Sequence, residues 1–275
     1  MPRVPIKRLK PKQPARNRPY LLKVSMLADR VRPNEFPFSF PAIAHGLPLE
    51  FNHSVTFFVG ENGTGKSTLL EAIAQKCGFN PAGGNRNHVY TRHETESPLA
   101  SSLRLSWRKK VTRGFFLRAE SFFNFSTYVD NLAKEDPNAL APYGGRSLHQ
   151  QSHGESFLAL FQNKFRYREA IYLLDEPEAA LSPSRQLAFL RILHEIDSRG
   201  EGQFIVATHS PILLAYPRAT ILFFDTHGIS KVAYKDTEHF QLTKRFLNNP
   251  DLYLRHLLAE EDQQGSLPLT ERKSR

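Results

Sequence analysis

Short apolar runs alternate with amphipathic stretches along most of this chain. The runs at 55–59, 170–174 and 203–208 are almost continuous, which is typical of strands buried on both faces of a parallel sheet. Residues 183–198 instead carry apolar residues at helical spacing and end before Gly200. This alternation predicts an α/β fold in which a mostly parallel sheet is flanked by helices.

The region before residue 50 has a different pattern. Residues 20–27 alternate apolar and polar side chains, as a half-exposed strand does. Phe36, Phe38 and Phe40 have the same spacing of two, which predicts a second strand. We therefore expect an N-terminal antiparallel β part. Phe38 and Phe40 are candidates for stacking on an adenine ring, although phenylalanines at this spacing are more often core residues.

A glycine-rich turn links the apolar run 55–59 to an amphipathic helix, and the whole stretch has the composition of a phosphate-binding loop. Its glycines permit backbone conformations in which successive N–H groups surround a phosphate at a helix N-terminus. Lys66 is expected to reach the β- and γ-phosphates, Ser67 the Mg²⁺ ion and Thr68 the α-phosphate. The predicted nucleotide-binding residues are Gly60, Glu61, Asn62, Gly63, Thr64, Gly65, Lys66, Ser67 and Thr68.

Polar residues that suit phosphate chemistry follow two other predicted strands. Asp175 and Glu176 come directly after 170–174, and His209 follows 203–208. Ligands of parallel α/β sheets bind beyond the carboxyl ends of the strands, so these side chains should meet the loop. Asp175 suits a Mg²⁺ ligand, and Glu176 is placed to orient or deprotonate an attacking water. Without the loop upstream, an Asp–Glu pair after a strand would instead indicate helix capping.

With these motifs in order, the chain resembles the ATP-binding-cassette (ABC) branch of P-loop ATPases over roughly residues 20–235. Residues 151–155, Gln-Ser-His-Gly-Glu, resemble the Leu-Ser-Gly-Gly-Gln signature of that family. The resemblance implies ATP with Mg²⁺ and makes Glu176 and His209 the catalytic residues. The signature residues are then Ser152, His153, Gly154 and Glu155. The expected metal ligands are Ser67 and Asp175, together with Glu120 at the position of the family's lid glutamine.

The signature also implies a second subunit, because in this family it contacts the nucleotide bound by the partner. Ser152 and Gly154 would then meet the γ-phosphate held by the partner subunit's Lys66. The resemblance therefore predicts an ATP-dependent homodimer that encloses two nucleotides between its subunits.

Only 32 positions separate Glu120 from Ser152, which is short for the helical subdomain of transporter motors. We therefore expect a reduced helical subdomain, and the chain is most similar to compact stand-alone ATPases related to the SMC/RecF-type group. The first hypothesis is an ATPase dimer that acts on a macromolecular client, with nucleic acid and a partner protein both left open. The alternative is the energising ATP-binding subunit of an ABC transporter. A non-catalytic nucleotide switch is disfavoured because Glu176 and His209 are both present.

Composition adds limits to this interpretation. The 275 residues are 40% apolar and 23% charged, and no apolar run approaches the roughly 18 residues of a membrane span, so a cytoplasmic protein is expected. Seven of the ten net positive charges lie in residues 1–18, which contain no acid. Such an arm is open to nucleic acid or another anionic surface. We predict a disordered basic arm at 1–18, an ATPase domain at 19–258 and a flexible tail at 259–275.

Overall fold

The computed structural model describes residues 19–80, 83–84, 97–119, 122–136, 138, 140–141, 145–147, 161 and 168–258, with the backbone alone for 122–125. These residues form two compact units that meet in sequence between Tyr234 and Lys235. The predicted domain boundaries at residues 18 and 258 stay predictions.

The first unit contains two sheets. Its strands are β1 (Leu21–Met26), β2 (Leu49–Glu50), β3 (Val55–Val59), β4 (Leu103–Trp107), β5 (Arg113–Arg118), β6 (Ala170–Asp175), β7 (Gly202–Ala207), β8 (Thr220–Asp225) and β9 (Gly228–Lys231). The larger sheet has the order β5-β6-β7-β3-β8-β9, and its neighbours are parallel except for the edge pair β8–β9. The smaller sheet is antiparallel, with the order β2-β1-β4. The predicted α/β fold, with its mostly parallel sheet flanked by helices and its N-terminal antiparallel part, is confirmed. The predicted reduced helical subdomain lies partly outside the described residues and stays a prediction.

The helices whose bounds the structure describes in the first unit are α1 (Pro41–Gly46), α2 (Lys66–Cys77), α3 (Pro98–Ser102), α4 (Phe122–Glu135), α5 (Pro183–Arg199) and α6 (Pro211–Leu214). The second unit has α7 (Glu238–Asn248) and α8 (Pro250–Leu258). Helix α7 begins after Thr237, whose hydroxyl accepts the Phe240 N–H at 3.4 Å. Among the helices that the structure describes, none combines the length and the apolar character that crossing a bilayer requires.

The predicted strand through Phe36, Phe38 and Phe40 is wrong. This segment forms consecutive turns that lead into α1, whose first residue is Pro41. Proline fixes its own φ and suits the first position of a helix, so the pattern of two did not continue as a strand. Phe36 is 70% exposed and Phe38 is 2% exposed, which a shared strand face would not produce. Phe38 belongs to the hydrophobic core.

The central sheet is covered on both faces, as its continuous apolar strands predict. Successive residues of β6 alternate between two cores: Ile171 and Leu173 pack on one side, and Tyr172 and Leu174 pack on the other. The first core includes residues of α2, α3 and the antiparallel sheet, and the second includes residues of α5 and α6. Helices on both faces hold the strand ends in fixed positions, and the candidate site lies on those ends.

A buried glutamine joins the two sheets. The side-chain oxygen of Gln203 accepts the Leu21 N–H at 2.7 Å, and its amide nitrogen donates to the Leu21 carbonyl at 3.0 Å. The Tyr20 hydroxyl donates to the Gly200 carbonyl at 2.8 Å. These bonds connect β1 to the beginning of β7, because Gln203 pairs with both main-chain groups of the first residue of β1.

A buried aspartate on α5 fixes the beginning of β3. Asp197 accepts hydrogen bonds from the Ser54 hydroxyl and, at 2.7 Å, from the Tyr216 hydroxyl. The guanidinium of Arg218 lies 2.8 Å from the same carboxylate. Burial raises the pKa of Tyr216, and the adjacent Asp197 raises it further, so the phenol stays a donor. The cluster anchors the strand that delivers the glycine-rich loop.

Two glycines of that loop provide a matched test of its geometry. Gly60 has φ 148°, and a Cβ atom there would lie 2.3 Å from the Phe224 carbonyl oxygen on β8. Gly63 has φ 77° and nothing within 4 Å of an added Cβ atom. We expect Gly63→Ala to lower the free energy of unfolding by about 1 kcal/mol, from left-handed strain alone. Gly60→Ala adds a backbone collision and should cost about 3 kcal/mol.

Urea denaturation of both variants measures this difference. Equal losses in the two alanine variants would show that β8 does not constrain the beginning of the loop.

Candidate active site

Three adjacent parallel strands bring the candidate residues to one edge of the sheet. In the order β6-β7-β3, the strand that ends at Ala207 lies between the other two. Strand β3 leads into the glycine-rich loop, β6 ends at Asp175, and β7 leads to His209. The sequence prediction that these three segments converge is therefore borne out by the topology.

The loop has the backbone conformations that its glycines were expected to permit. Gly60, Gly63 and Gly65 all have positive φ, at 148°, 77° and 93°. Gly65 is the N-cap of α2, so the loop runs directly into the N-terminus of a helix of 12 residues. This arrangement of loop and helix terminus binds anions through main-chain N–H groups and the positive end of the helix dipole.

The Lys66 side chain is held at the mouth of this loop. Its Nζ donates to the carbonyls of Gly60 at 2.8 Å and Glu61 at 2.6 Å, and the residue is 4% exposed. Burial lowers the pKa of Lys66, and the nearby carboxylates, led by Glu176 and Asp175, partly offset that effect. The pKa of Lys66 stays below its usual value because burial outweighs these carboxylates, and the amino group lies where phosphate oxygens are expected.

The other loop residues are more open. Glu61 and Asn62 are exposed, and Thr64 donates from its hydroxyl to the Glu61 carbonyl at 2.9 Å. Thr68 is half-buried in the first turn of α2. The phosphate contacts expected of these residues stay predictions.

Ser67 and Asp175 come together across the sheet edge. The Ser67 hydroxyl donates to Asp175 Oδ1 at 2.9 Å, which joins residues 108 positions apart. Both side chains offer oxygen atoms as metal ligands. Mg²⁺ at phosphate-transfer sites is bound by one or two protein oxygens together with substrate phosphates. No cluster of three or more His, Cys, Asp or Glu side chains suited to a metal occurs among the described residues. A sparse oxygen pair of this kind fits Mg²⁺ bound together with a nucleotide.

An arginine that the sequence analysis did not single out lies behind this pair. Arg118, the last residue of β5, places Nε 3.5 Å from Asp175 Oδ2 and Nη1 3.0 Å from Glu71 Oε2. Strand β5 pairs with β6 so that Arg118 is opposite Asp175. The parallel register of β5 and β6 could have indicated this contact, because Arg118 and Asp175 are the last residues of these paired strands.

Glu176 has an unusual backbone conformation. Its φ of 49° and ψ of 52° lie in the left-handed region, which is uncommon for a residue with a side chain. The Glu176 N–H donates to the Ala207 carbonyl at 2.9 Å, and the 3₁₀ turn Pro177–Ala180 follows. The strand therefore ends abruptly, and the Glu176 side chain stays 43% exposed beside the loop. Backbone strain of this kind is concentrated at functional sites.

His209 lies against Glu176 and is held from behind by a second glutamate. The distance from His209 Nε2 to Glu176 Oε1 is 3.6 Å. Glu178 accepts the His209 main-chain N–H through Oε1 at 2.6 Å. Burial raises the pKa of Glu178, whereas the hydrogen bond from the His209 main-chain N–H acts in the opposite direction. Glu178 was not among the predicted site residues, and its contact with the histidine loop comes from the structure.

Some predicted site residues cannot be compared with the structure. Glu120 and the signature residues Ser152, His153, Gly154 and Glu155 lie outside the described residues.

Phe40, a candidate for stacking on adenine, lies beside the loop: an added Cβ atom on Gly65 would be 3.5 Å from Phe40 Cγ.

The arrangement can bind a phosphate chain, hold a divalent cation and activate water. The loop and Lys66 provide positive potential, Ser67 and Asp175 provide oxygen ligands, and Glu176 provides an exposed carboxylate within reach of an imidazole. These are the parts that phosphoryl transfer to water requires.

Comparison with known families agrees with this chemistry. A family model described as "AAA domain, putative AbiEii toxin, Type IV TA system" matches residues 114–215, and a model described as "AAA domain" matches residues 38–131. The two matched ranges together contain the loop, Asp175, Glu176 and His209.

Similar individual proteins carry ATP-binding names. The cytochrome c biogenesis ATP-binding export protein CcmA of Rhodopseudomonas palustris is 27% identical over 164 residues, which are 57% of this chain and 78% of that protein. The hemin import ATP-binding protein HmuV of Bartonella henselae is 25% identical over 235 residues, which are 79% of this chain and 86% of that protein. The solved structure of cbiO1 from Clostridium perfringens overlaps 87% of this chain and 99% of its own, with 19% identity and a TM-score of 0.47.

The family models and the ATP-binding relatives thus agree with what the strand ends bring together. Together these similarities support an ABC-type P-loop ATPase that hydrolyses ATP.

Proposed function

We propose that the chain binds ATP with Mg²⁺ at residues 60–68 and hydrolyses it with Glu176 as the general base. The observation that carries this proposal is the placement of Glu176 directly after Asp175, with Asp175 bonded to Ser67 and Glu176 3.6 Å from His209. Lys66 is the group that meets the β- and γ-phosphates, and a cytoplasmic location would suit this substrate.

Each residue then has one task in the reaction. Ser67 and Asp175 would hold Mg²⁺, which when bound neutralises charge on the phosphate oxygens. Glu176 accepts a proton from the attacking water, because its exposed carboxylate stands at the open end of β6. His209 keeps that carboxylate and the water in line and adds hydrogen-bonding capacity near the γ-phosphate. Arg118 holds the second oxygen of Asp175, which fixes the orientation of the carboxylate.

We further propose that two copies enclose two nucleotides. The support is the resemblance of residues 151–155 to the family signature, which contacts the nucleotide of the opposite subunit. Ser152 and Gly154 of one copy would approach the γ-phosphate held by the partner subunit's Lys66, so hydrolysis would weaken the dimer.

For the client, the comparisons support the transporter alternative better than the macromolecular client that the sequence analysis placed first. The relatives named above are described as export and import ATP-binding proteins. We therefore favour an energising subunit that couples ATP hydrolysis to a membrane-embedded partner. Two observations support the stand-alone ATPase as the second candidate. Only 32 positions separate Glu120 from Ser152, and the family model that matches residues 114–215 is described with a toxin system.

Isolation of the chain from its native membrane and soluble fractions separates these candidates. Stoichiometric recovery of an integral membrane protein with the tagged chain would support the transporter role. Recovery in the soluble fraction only, as a homodimer without such a partner, would contradict it.

Glu176→Gln should separate ATP binding from hydrolysis. The amide keeps the size of the side chain but cannot accept the proton, so turnover should fall about a hundredfold or more while ATP affinity stays within about twofold. Phosphate release and equilibrium binding of ATP with Mg²⁺ measure the two quantities. Turnover at the parental rate in this variant would remove Glu176 from the mechanism.

Lys66→Ala should give the opposite separation. Removal of the charge that meets the phosphates should weaken ATP binding at least tenfold, because charge-assisted bonds to phosphate are among the stronger ones. Lys76→Ala is the matched control, since Lys76 lies in the last turn of the same helix, away from the loop. The phosphate-cradle assignment fails if both alanine variants bind ATP equally well.

The dimer proposal predicts a nucleotide-dependent mass. Glu176→Gln, which retains ATP, should dimerise with ATP and Mg²⁺ and remain monomeric with ADP, because only the γ-phosphate connects the two subunits. Adding Ser152→Arg should prevent the dimer by crowding that phosphate, with ATP binding through Lys66 unchanged. Light scattering reports the mass. If the mass of Glu176→Gln, with or without Ser152→Arg, is the same with ATP as with ADP, the shared site is contradicted.

A further inference from the structure

Glu178 connects the two segments that carry Glu176 and His209. It lies in the 3₁₀ turn Pro177–Ala180 that follows Glu176, and its carboxylate accepts the His209 main-chain N–H at 2.6 Å. The contact spans 31 positions of the chain. One side chain thus links the turn after the candidate general base to the loop that carries the histidine.

The surroundings of Glu178 make this hydrogen bond strong. Burial disfavours the ionised carboxylate, and the hydrogen bond from the His209 main-chain N–H favours it. A hydrogen bond to a carboxylate in a partly dry site is stronger than one between neutral groups. The bond also restrains the His209 backbone at the residue whose imidazole lies 3.6 Å from Glu176 Oε1.

A second, deeper link joins the same two segments without any charge. The Gln186 side chain donates to the Leu181 carbonyl at 3.0 Å and accepts the Ser210 hydroxyl at 2.5 Å. Gln186 and Ser210 are both buried. Ser210 also caps α6 by accepting the N–H groups of Ile212 and Leu213. Because this neutral link holds the two segments at their base, we expect Glu178 variants to be folded.

We propose that Glu178 is a positioning residue: by holding the His209 main-chain N–H it fixes the His209 imidazole against the Glu176 carboxylate. This inference rests on the proposed function, since it assigns Glu178 a role only if Glu176 and His209 act on the attacking water. Glu178 itself does not touch substrate in this account. It acts through His209, and its effect should vanish when His209 has no imidazole.

The competing explanation is that Glu178 only helps to fold the turn. A folding role predicts loss of thermal stability with kcat and KM for ATP unaffected in the protein that remains folded. A positioning role predicts a lower kcat at a constant KM for ATP, because alignment of the base and water matters in the transition state and not in ATP binding.

The test is a double-mutant cycle measured on the full chain. Glu178→Ala should lower kcat by about tenfold to a hundredfold, with KM for ATP within about twofold. Glu178→Gln should recover kcat to within about threefold of the parent, because the amide oxygen can still accept the His209 N–H. In a His209→Ala background, Glu178→Ala should lower kcat by less than about twofold further. Glu195→Ala, on the exposed face of α5, is the matched control and should behave as the parent.

Amide chemical shifts give a readout that does not depend on turnover. In protein labelled with ¹⁵N-histidine, the His209 amide proton should move upfield in Glu178→Ala and only slightly in Glu178→Gln, because the short bond to the carboxylate is lost or weakened. An unchanged His209 amide in Glu178→Ala overturns the inference, as does a full Glu178→Ala effect on kcat in the His209→Ala background.

Glu176→Gln, measured in the same series, distinguishes two failures. If Glu176→Gln keeps parental turnover, the proposed function is wrong. If Glu176→Gln is inactive while Glu178→Ala keeps parental kcat, the hydrolysis site stands and the positioning role of Glu178 is wrong.

Discussion

Parallel pairing of β6, β7 and β3 is the constraint on which the rest of this structure depends. The register fixes Asp175 opposite Ala207, and Ala207 opposite Phe58, so the three strands end within one residue of a common line. Apolar residues of these strands fill two cores, one on each face of the sheet. A one-residue slip of β6 would move its buried side chains to the opposite face and separate Asp175 from Ser67. The same strand register therefore determines both the packing of the sheet and the geometry of the site.

At the ends of these strands, polar contacts take over from apolar packing. Asp175 is bonded to Ser67 on one side and lies near Arg118 on the other, so α2, β6 and β5 meet at one carboxylate. Glu176 leaves β6 in a left-handed conformation that a continuing strand could not adopt. The histidine loop after β7 is joined to the turn after β6 by Glu178 and Gln186. These contacts join the ends of neighbouring strands around the proposed nucleotide site.

Much of the fold could be predicted because the strands are short, continuous and apolar, and because the glycine-rich loop has one common structural context. The positive φ values of Gly60, Gly63 and Gly65 agree with the reason given for those glycines. Prediction failed at Phe36, Phe38 and Phe40, where a spacing of two arose in turns that contain proline. Periodicity does not distinguish a strand from such turns when the apolar residues are few.

The missing parts of the site share one physical cause. Arg118, Glu178, Gln186 and Asp197 act through contacts that span long stretches of chain, and no local pattern indicates which carboxylate an arginine will meet. Arg118 is the partial exception, since it ends β5 in register with Asp175. Residues joined by strand register can be anticipated from a correct topology. Residues joined only by loop packing, such as Glu178 and His209, require the structure.

The most direct test of the central claim is a crystal structure of Glu176→Gln with ATP and Mg²⁺. We expect the metal at about 2.1 Å from the Ser67 hydroxyl, on the side of Asp175, with Lys66 on the β- and γ-phosphates. We also expect a water between residue 176 and the γ-phosphate, within reach of His209. A nucleotide whose phosphates lie away from residues 60–68, or a metal that contacts neither Ser67 nor the surroundings of Asp175, would contradict the proposed site.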